Sequence, residues 1–452
     1  MMKLVKFLVL CALLISTRSF AALDILITQG VDSARPVAVV PFQWQGKGNL
    51  PVDISQIITN DLRRSGKFNP IKVASMPQTP SSVQDVNSES WASLGVEGVL
   101  IGTISQPEPD RYLVSYSLVD VLQGQMGSDS QLQNGQLVKS SQHVLLSRNG
   151  TVTAAQMRQY AHLISDHVYQ ALTGERGAFL TRIAYVVFNP KATYPYQLRI
   201  SDYDGYNERV LLRSQQPILS PAWSPDGKQL AYVSMENRRL DIYIQDLHAV
   251  NGQPPKRIRL PHYPGINSAP AWSPDGRKMA LVLSKDGQPE VYIEDLASGK
   301  LKRVTNSRRI DTEPTWSHDG QYVYFSSERG GNPQIYRYAV DSQKITRVSW
   351  DGDMNLGAEV APDDQSIVMV NRTNGEYRIA RQDLKTGYLQ VLTQTSLDES
   401  PSIAPNGSMI IYSTIEHGKQ VLALVSTDGR FKATLPARDG DVKAPAWSPF
   451  LN

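Results

Sequence analysis

From residue 183 onward, short apolar runs alternate with polar segments rich in Gly, Pro, Asp and Ser. Each run has five or six residues, many of them β-branched or aromatic, which is typical of buried strands. A second strand and a hairpin follow each run. The clearest first runs are LAYVS at 230–234, MALVLS at 279–284, VYFSS at 323–327, IVMVN at 367–371 and IIYST at 411–415. The pattern predicts four antiparallel strands in each set.

A recurring phrase precedes each of these runs. It reads SPAWSPDG at 220–227, SAPAWSPDG at 268–276 and EPTWSHDG at 313–320, with degraded copies AEVAPDD at 358–364 and SPSIAPNG at 400–407, and it recurs as APAWSP at 444–449. Its central residue recurs at intervals of 43 to 49 residues. Pro followed by Asp-Gly suits a tight turn, and the preceding tryptophan can wedge between neighbouring sheets. This period indicates a β-propeller with one blade per repeat.

The two ends of the array complement each other. The last phrase stops at Pro449, where a second strand should follow. Three strands at the start of the array, at 183–188, 196–202 and 209–214, have no tryptophan strand before them. If the strand around Trp447 joins these three, residues 183–452 form a six-bladed β-propeller closed by a blade shared between its first and last strands. A β-sandwich with accidental similarity among its turns is the alternative.

Residues 23–173 carry no repeat and mix helix and strand patterns. Strands are predicted at 36–42, 96–105, 111–121 and 136–146. One helix is predicted from an Asp53 N-cap to Gly66, and a longer one from Thr153 to Gly174. The region is therefore predicted to be a small α/β domain with a mixed sheet, joined to the propeller by a linker at 174–182.

Residues 23–34 are apolar at alternate positions before Gly30 and Pro36 interrupt the pattern. One interpretation is an edge strand of the first domain. The other is a mobile partner-binding segment, which pairs with its own protein or is lent to a partner as an extended strand.

Residues 1–22 are predicted to be a secretory signal peptide, with Lys3 and Lys6 before a short apolar stretch and cleavage at Ala21 and Ala22. Cys11, the single cysteine, lies inside it.

The formal net charge of +3 is accounted for by the three basic residues of this segment, so the rest of the chain has no net charge. A neutral protein is a poor match for nucleic acid or anionic lipid as partners. No later segment reaches transmembrane length. A periplasmic protein with no membrane span, expected to be a monomer, is predicted.

Catalytic signatures are missing from the sequence: there is no GxSxG, HExxH, GxxxxGK or CxxC motif. The acid pairs Asp363-Asp364 and Asp398-Glu399 are interpreted as solvated turn carboxylates. Acids facing a propeller channel could still hold a hard cation, so a structural cation stays open although no cofactor is expected. A propeller glycosidase or lyase with channel carboxylates is the alternative function.

The residues that lead into each innermost strand are expected to line one mouth of the propeller. Three positions before each central residue, five of the six are small, and Glu313 is the one charged member: Ser220, Ala269, Glu313, Gly357, Ser400 and Ala444. One position further out are Leu219, Ser268, Thr312, Leu356, Glu399 and Lys443. A wide mouth with few charges suits an inserted polypeptide segment, and a platform without chemistry is the preferred function.

Several long strings resemble the TolB family, the periplasmic propeller component of the Tol–Pal system of Gram-negative bacteria. They include ITQGVDSARPVAVVPFQW at 27–44, SDYDGYN at 201–207, TEPTW at 312–316 and LVSTDGRFKATLPARDGDVKAPAWSP at 424–449. The resemblance covers essentially all of residues 23–452. It implies an α/β domain, a six-bladed propeller and no catalysis.

The resemblance also implies partners. The mouth would bind Pal, the peptidoglycan-associated lipoprotein, or a colicin translocation epitope, and the first residues after the signal peptide would bind TolA. The implied roles are outer-membrane integrity and envelope constriction during cell division. The expected Pal contacts are Asn267, Ser268, Ala269, Thr312, Glu313, Pro314, Leu356, Glu399, Ser400 and Lys443. The expected TolA contacts are Leu23, Asp24, Ile25, Leu26, Ile27 and Thr28. Ile266 departs from the family pattern, where a polar residue is expected.

Overall fold

The computed structural model describes residues 25–29, 34–126, 130–133, 136–139, 143–249, 252–435 and 439–451. The predicted signal peptide, its cleavage site at Ala21 and Ala22, and the first two expected TolA contacts, Leu23 and Asp24, lie outside the described residues.

The first domain is built on a mixed sheet, as predicted. Its strands, in spatial order, are Phe68–Pro70, Arg35–Val39, Gly98–Glu108, Arg111–Asp120 and Val144–Val152, and Gln43–Trp44 also pairs with Gly98–Glu108. Arg35–Val39 is parallel to both of its neighbours, and the other neighbouring pairs in this order are antiparallel. The strand predicted at 136–146 is divided: Gln136–Lys139 pairs with Ser130–Gln133 in a separate hairpin, and Val144–Val152 is the edge strand of the main sheet.

Helices cover both faces of this sheet. Ile54–Arg64 and Met157–Thr173 pack on one face, and the short helices Ser88–Ala92 and Val121–Met126 belong to the other side. The predicted N-cap is present, because the Asp53 carboxylate accepts a hydrogen bond from the amide of Gln56 at 3.0 Å. Gly174 ends the longest helix in the left-handed conformation, with φ of 81°. Single 3₁₀ turns span Val73–Ser75, Val83–Asp85 and Ala154–Gln156.

The second domain is a six-bladed propeller, as predicted. Blade 1 contains Asp441–Trp447, Arg182–Phe188, Tyr196–Asp202 and Arg209–Ser214. Blade 2 contains Ile218–Trp223, Gln229–Ser234, Asp241–Asp246 and Arg257–Arg259. Blade 3 contains Asn267–Trp272, Lys278–Leu283, Glu290–Asp295 and Leu301–Arg303. Blade 4 contains Asp311–Trp316, Tyr322–Ser327, Gln334–Ala339 and Ile345–Arg347. Blade 5 contains Met354–Val360, Ser366–Thr373, Glu376–Asp383 and Leu389–Val391. Blade 6 contains Glu399–Ile403, Met409–Glu416, Lys419–Ser426 and Lys432–Leu435.

Blade 1 closes the ring, as the two ends of the array predicted. Asp441–Trp447 is the innermost strand of this blade and pairs antiparallel with Arg182–Phe188, so that Trp447 faces Ile183. The hydroxyl of Ser448 accepts a hydrogen bond from the amide of Arg182 at 2.9 Å and extends the seam. A chain terminus and the start of the array are therefore held together as one sheet.

Tryptophan rings lie between blades and join them by hydrogen bonds. The Nε1 of Trp223 donates to Ala446 O of blade 1 at 2.9 Å, and Trp272 donates to Ala222 O of blade 2 at 3.2 Å. Trp316 continues the series by donating to Ala271 O at 3.2 Å. Each indole thus fixes its own blade against the preceding one.

The N-terminal strand, Leu26–Gln29, does not belong to the first domain. It pairs antiparallel with Lys432–Leu435 and is the fifth strand of blade 6. The interpretation of residues 23–34 as an edge strand of the first domain is therefore wrong for the four residues of this strand. Ile25 and Ile27 pack against a hydrophobic core that includes side chains of both domains.

Candidate protein-binding mouth of the propeller

Six equivalent residues surround the mouth, and all six have a left-handed backbone. The φ angles are 47° at Ser220, 46° at Ala269, 51° at Glu313, 55° at Gly357, 53° at Ser400 and 50° at Ala444. The register of the innermost strand shifts at this point in every blade, which marks a β-bulge. A non-glycine residue in this conformation costs about 1–2 kcal/mol, so five of the six mouth positions hold a strained backbone.

The mouth opens into a cavity of about 570 Å³ along the propeller axis. Near the mouth, its walls are five of the six left-handed residues: Ser220, Ala269, Glu313, Gly357 and Ser400. Further along, the inner strands and their turns contribute proline and aromatic side chains, among them Pro225, Pro274, Pro405 and Phe450. The volume is in the range of sites that take a small molecule or a short peptide segment.

Glu313 is an exposed carboxylate that lines the cavity at the mouth, and the protein fixes its position. Its Oε2 atom accepts two hydrogen bonds, one from the hydroxyl of Ser326 and one from the amide of Gly357, each at 2.8 Å. The bond from Ser326 lies within blade 4, and the bond from Gly357 joins blade 4 to blade 5. Gly357 is the equivalent residue of the next blade, and a Cβ there would lie 3.7 Å from the Glu313 carboxylate. The carboxylate is therefore held at the mouth before any partner arrives.

The other expected Pal contacts differ in accessibility. Glu399 and Ser400 are exposed; Ser268, Ala269, Thr312, Leu356 and Lys443 are half-buried; Asn267 and Pro314 are buried. The Asn267 amide group donates to Tyr263 O at 2.7 Å and to Gly265 O at 3.1 Å. This side chain fixes the loop that enters blade 3 and does not face outward.

An apolar ring around the mouth was missed by the sequence analysis. Six positions before the central residue of the inner strand, four consecutive blades have an apolar residue: Ile266, Ile310, Met354 and Leu397. Ile310 is 37% exposed and Leu397 is 50% exposed. Ile266, which was noted only as a departure from the family pattern, belongs to this ring. The signal was its shared position in the repeat.

The N-terminal strand carries the expected TolA contacts that are described. Ile25 and Ile27 are half-buried, while Leu26 is 61% exposed and Thr28 is exposed. The hydroxyl of Thr28 donates to Lys432 O at 3.1 Å, in the outer strand of blade 6. The strand is therefore attached along its length to the outer edge of the propeller.

Carboxylates near the channel have hydrogen-bond partners. The Asp364 carboxylate accepts from the amides of His318 and Asp319, at 2.8 Å and 2.9 Å, and stabilises a turn of blade 4. Glu359 lines the cavity, and burial raises its pKa to about 7 although the amide of Ile403 and the hydroxyl of Ser402 act in the opposite direction. Within the described residues, no group of three or more side chains has the arrangement of a metal site.

These features define a class of protein: an α/β domain followed by a six-bladed propeller with an open, pre-organised mouth. Family models match both parts, the TolB amino-terminal domain at residues 23–126 and the TolB beta propeller domain at residues 169–451. The chain belongs to the TolB family. In the described ranges, no helix is long and apolar enough to cross a membrane.

Individual relatives agree with the family models. The chain is 52% identical over 432 residues to the Tol-Pal system protein TolB of Hamiltonella defensa, covering 95% of each chain. It is 53% identical over 431 residues to the protein of the same name from Pasteurella multocida, covering 95% of this chain and 94% of the relative. The crystal structure of TolB from Acinetobacter baumannii superposes with a TM-score of 0.83 at 38% identity, covering 95% of this chain and 100% of that chain.

Proposed function

We propose that this protein is a periplasmic, non-enzymatic platform of the Tol–Pal system, which binds Pal at the propeller mouth and TolA through its N-terminal segment. Membership of the TolB family and the names of its relatives, Tol-Pal system protein TolB, support the assignment to this system. In this role it would support outer-membrane integrity and envelope constriction during division. Colicin-type epitopes would compete with Pal for the same mouth.

The position of Glu313 carries the proposal for the mouth. Its carboxylate is exposed, yet two hydrogen bonds of 2.8 Å fix it in place. Because the Glu313 side chain is already ordered, binding of a partner costs little of its conformational entropy. This favours affinity, and the fixed charge favours specificity. The apolar ring outside it includes Ile310 and Leu397, which are partly exposed. A bound partner would remove this apolar surface from water, which favours binding.

The alternative of a propeller glycosidase or lyase would use channel carboxylates. Glu313 and Glu359 both line the cavity and are the pair that such an enzyme would need. Both already accept hydrogen bonds from the next blade, Glu313 from the amide of Gly357 at 2.8 Å and Glu359 from the hydroxyl of Ser402 at 3.5 Å. These bonds favour a structural role and support the binding platform over the enzyme.

The test of the proposal is the variant Glu313→Ala, measured by calorimetry against purified Pal. Removal of one partner of a desolvated polar contact costs about 2–5 kcal/mol, so affinity should fall about thirty-fold or more. Glu89→Ala, which removes an exposed carboxylate from the first domain, is the control and should bind Pal as the parent does. An unchanged affinity of the Glu313 variant would move the Pal site away from the mouth.

A further inference from the structure

Trp350 is an exposed indole on the loop between blade 4 and blade 5. It is 67% exposed, whereas the other described tryptophans are buried or half-buried. The equivalent residues of three other interblade loops are polar: His262, Asn306 and Gln394. The repeat therefore does not require a tryptophan here. Tryptophan is among the residues that most often dominate binding energy at protein interfaces, so an exposed indole at this end of the propeller is a candidate anchor.

Buried polar groups hold the loop on both sides of this indole. On one side, the fully buried Ser349 donates through its hydroxyl to Gln334 Oε1 at 2.7 Å and accepts from the amide of Ile335 at 2.8 Å. On the other side, Asp351 O accepts from the amide groups of Asn355 at 2.8 Å and Asn371 at 3.1 Å. Both asparagines are buried. The loop that presents Trp350 is consequently rigid.

A guanidinium group fixes the indole itself. The Arg347 Cζ lies 4.1 Å from the centre of the Trp350 ring, and its Nε donates to Ser349 O at 2.8 Å. This stacking covers one face of the ring and leaves the rest of it open. The indole is thus oriented before binding, which lowers the entropy that a complex would lose.

We propose that Trp350 is an anchor residue for the partner of the mouth, and that this partner is a folded domain that covers the rim beside blades 4 and 5. The inference rests on the proposed function. The same loop leads into the inner strand of blade 5, Met354–Val360, so the indole lies at the same end of the propeller as the mouth. A peptide confined to the channel would leave the indole exposed, whereas a folded domain seated on the rim would bury it. Tryptophans of this kind dominate binding energies at protein interfaces.

The surroundings of Trp350 also indicate what the partner presents. Asp351 and Asp353 follow it, both are exposed, and neither has an ion pair within the described residues. An apolar or planar side chain of the partner would pack on the open part of the ring. A lysine or arginine beside it would pair with these carboxylates, because opposite charges at an interface fix its orientation.

The test compares Trp350→Ala with Tyr388→Ala in the full protein without its signal peptide. Tyr388 is 69% exposed and lies on the turn between the third and fourth strands of blade 5, at the opposite end of the propeller. Calorimetry with Pal should give an affinity at least about thirty-fold weaker for the Trp350 variant, since hot-spot truncations cost about 2 kcal/mol or more. The Tyr388 variant should bind as the parent does. Both variants should melt with the parent, because both rings are exposed.

Different failures have different meanings. If the parent protein does not bind Pal, the proposed function is wrong. If the parent binds Pal and Trp350→Ala binds equally well, only the anchor is wrong. Tryptophan fluorescence is the second readout: Pal should shift the emission of the parent to shorter wavelength, and Trp350→Phe should abolish most of that shift. Sedimentation in which only the Trp350 change abolishes self-association, with Pal affinity intact, would overturn the proposal in favour of a second copy of this chain.

Discussion

At the scale of single residues, a buried polar cluster joins the two domains. Asp61 and His162, from the two long helices of the first domain, are bonded at 2.7 Å between Oδ2 and Nδ1. The other ring nitrogen of His162 lies 3.8 Å from Asp204 on the turn that follows the third strand of blade 1. Arg158 and Tyr203 complete the cluster by bonding Asp204 and Asp61, respectively. His162 therefore lies between two carboxylates, one from each domain.

The charge of His162 gives domain docking a predictable pH dependence. Burial alone lowers the pKa of His162, but Asp61 and Asp204 outweigh it and raise the pKa above its ordinary value. The folded state therefore binds this proton more tightly than the unfolded state. Its contribution to stability is complete below about pH 6.5, the unfolded pKa, and is lost as pH rises through the higher folded pKa.

We expect His162→Gln to lose this dependence. Removing one partner of a buried ion pair costs about 3–5 kcal/mol, so the variant should be less stable at pH 6, and the gap should narrow towards pH 9. Denaturant unfolding of both proteins across this range measures the gap. Other groups titrate nearby, since burial raises the pKa of Asp166 to about 6, but they are common to both proteins. If the free energy of unfolding varied with pH in parallel for the two proteins, His162 would not be the source of the pH dependence.

Some residue-level features of the mouth were predictable from the sequence and others were not. The small residues of the mouth, such as Ser220 and Ala444, were found from their place in the repeat, and Glu313 was found as the exception among them. Their left-handed backbone was not predicted, because Ser, Ala and Glu have no preference for it and the bulge arises from strand register. Similarly, the sequence could not show that Asn267 points into its own loop.

At the scale of elements, the weaker repeats replace one kind of link between blades with another. Blades 5 and 6 have Val360 and Ile403 where the other blades have an indole donor. In these blades the side chain one residue earlier accepts a hydrogen bond from the next blade. Glu359 accepts from the hydroxyl of Ser402 at 3.5 Å, and Ser402 accepts from the amide of Trp447 at 3.0 Å. Hydrogen bonds therefore join neighbouring blades also where the sequence repeat is degraded.

Closure of the ring gives a prediction at this scale. Truncation after Asp441 removes the buried side chains Val442 and Trp447 and the ladder to Arg182–Phe188. Each of these two side chains contributes about 1.5–3 kcal/mol, so we expect a loss of at least about 3 kcal/mol and a Tm lower by about 6 °C or more. Deletion of the exposed residues 252–255 is the control and should change Tm little. A truncated protein that melts cooperatively within a few degrees of the intact one would disprove the shared blade.

Elements with local signals were predictable, and those set by distant pairing were not. Asp53 and Gly174 delimit helices through contacts within their own turns, which a sequence displays directly. The N-terminal strand is different, because Leu26 pairs with Thr434, about 400 residues away, and four residues carry too little pattern to name a partner. Likewise, the apolar pattern of residues 136–146 could not show that two separate strands lie there.

At the scale of the whole molecule, the two domains share one core. Phe68 and Tyr169 of the first domain belong to the same cluster as Phe431 of blade 6. A Cβ on Gly66 would lie 2.6 Å from that of Phe431, so the helix end and the blade are in close contact. The N-terminal strand leaves the first domain and attaches to blade 6, which couples its state to the propeller. Among the described residues 25–29, Ile25 and Ile27 are the ones that pack against the core.

These few contacts suggest a strand poised between two states. An apolar side chain contributes at most about 1.5–3 kcal/mol when fully buried, whereas ordering a residue costs about 1–2 kcal/mol. The docked and released states should therefore be close in free energy, and Pal at the mouth can shift the balance if it binds one state better.

We predict that deleting residues 23–34 abolishes TolA binding and leaves Pal binding intact but with altered affinity. The point variant Ile27→Ala should change Pal affinity in the same direction, while Leu26→Ala, at a side chain that is 61% exposed, should not. Calorimetry with Pal, together with amide exchange of Leu26–Gln29 with and without Pal, measures both sides of the linkage. Equal Pal affinities with unchanged exchange would make the strand a fixed part of blade 6 and would end the case for coupling.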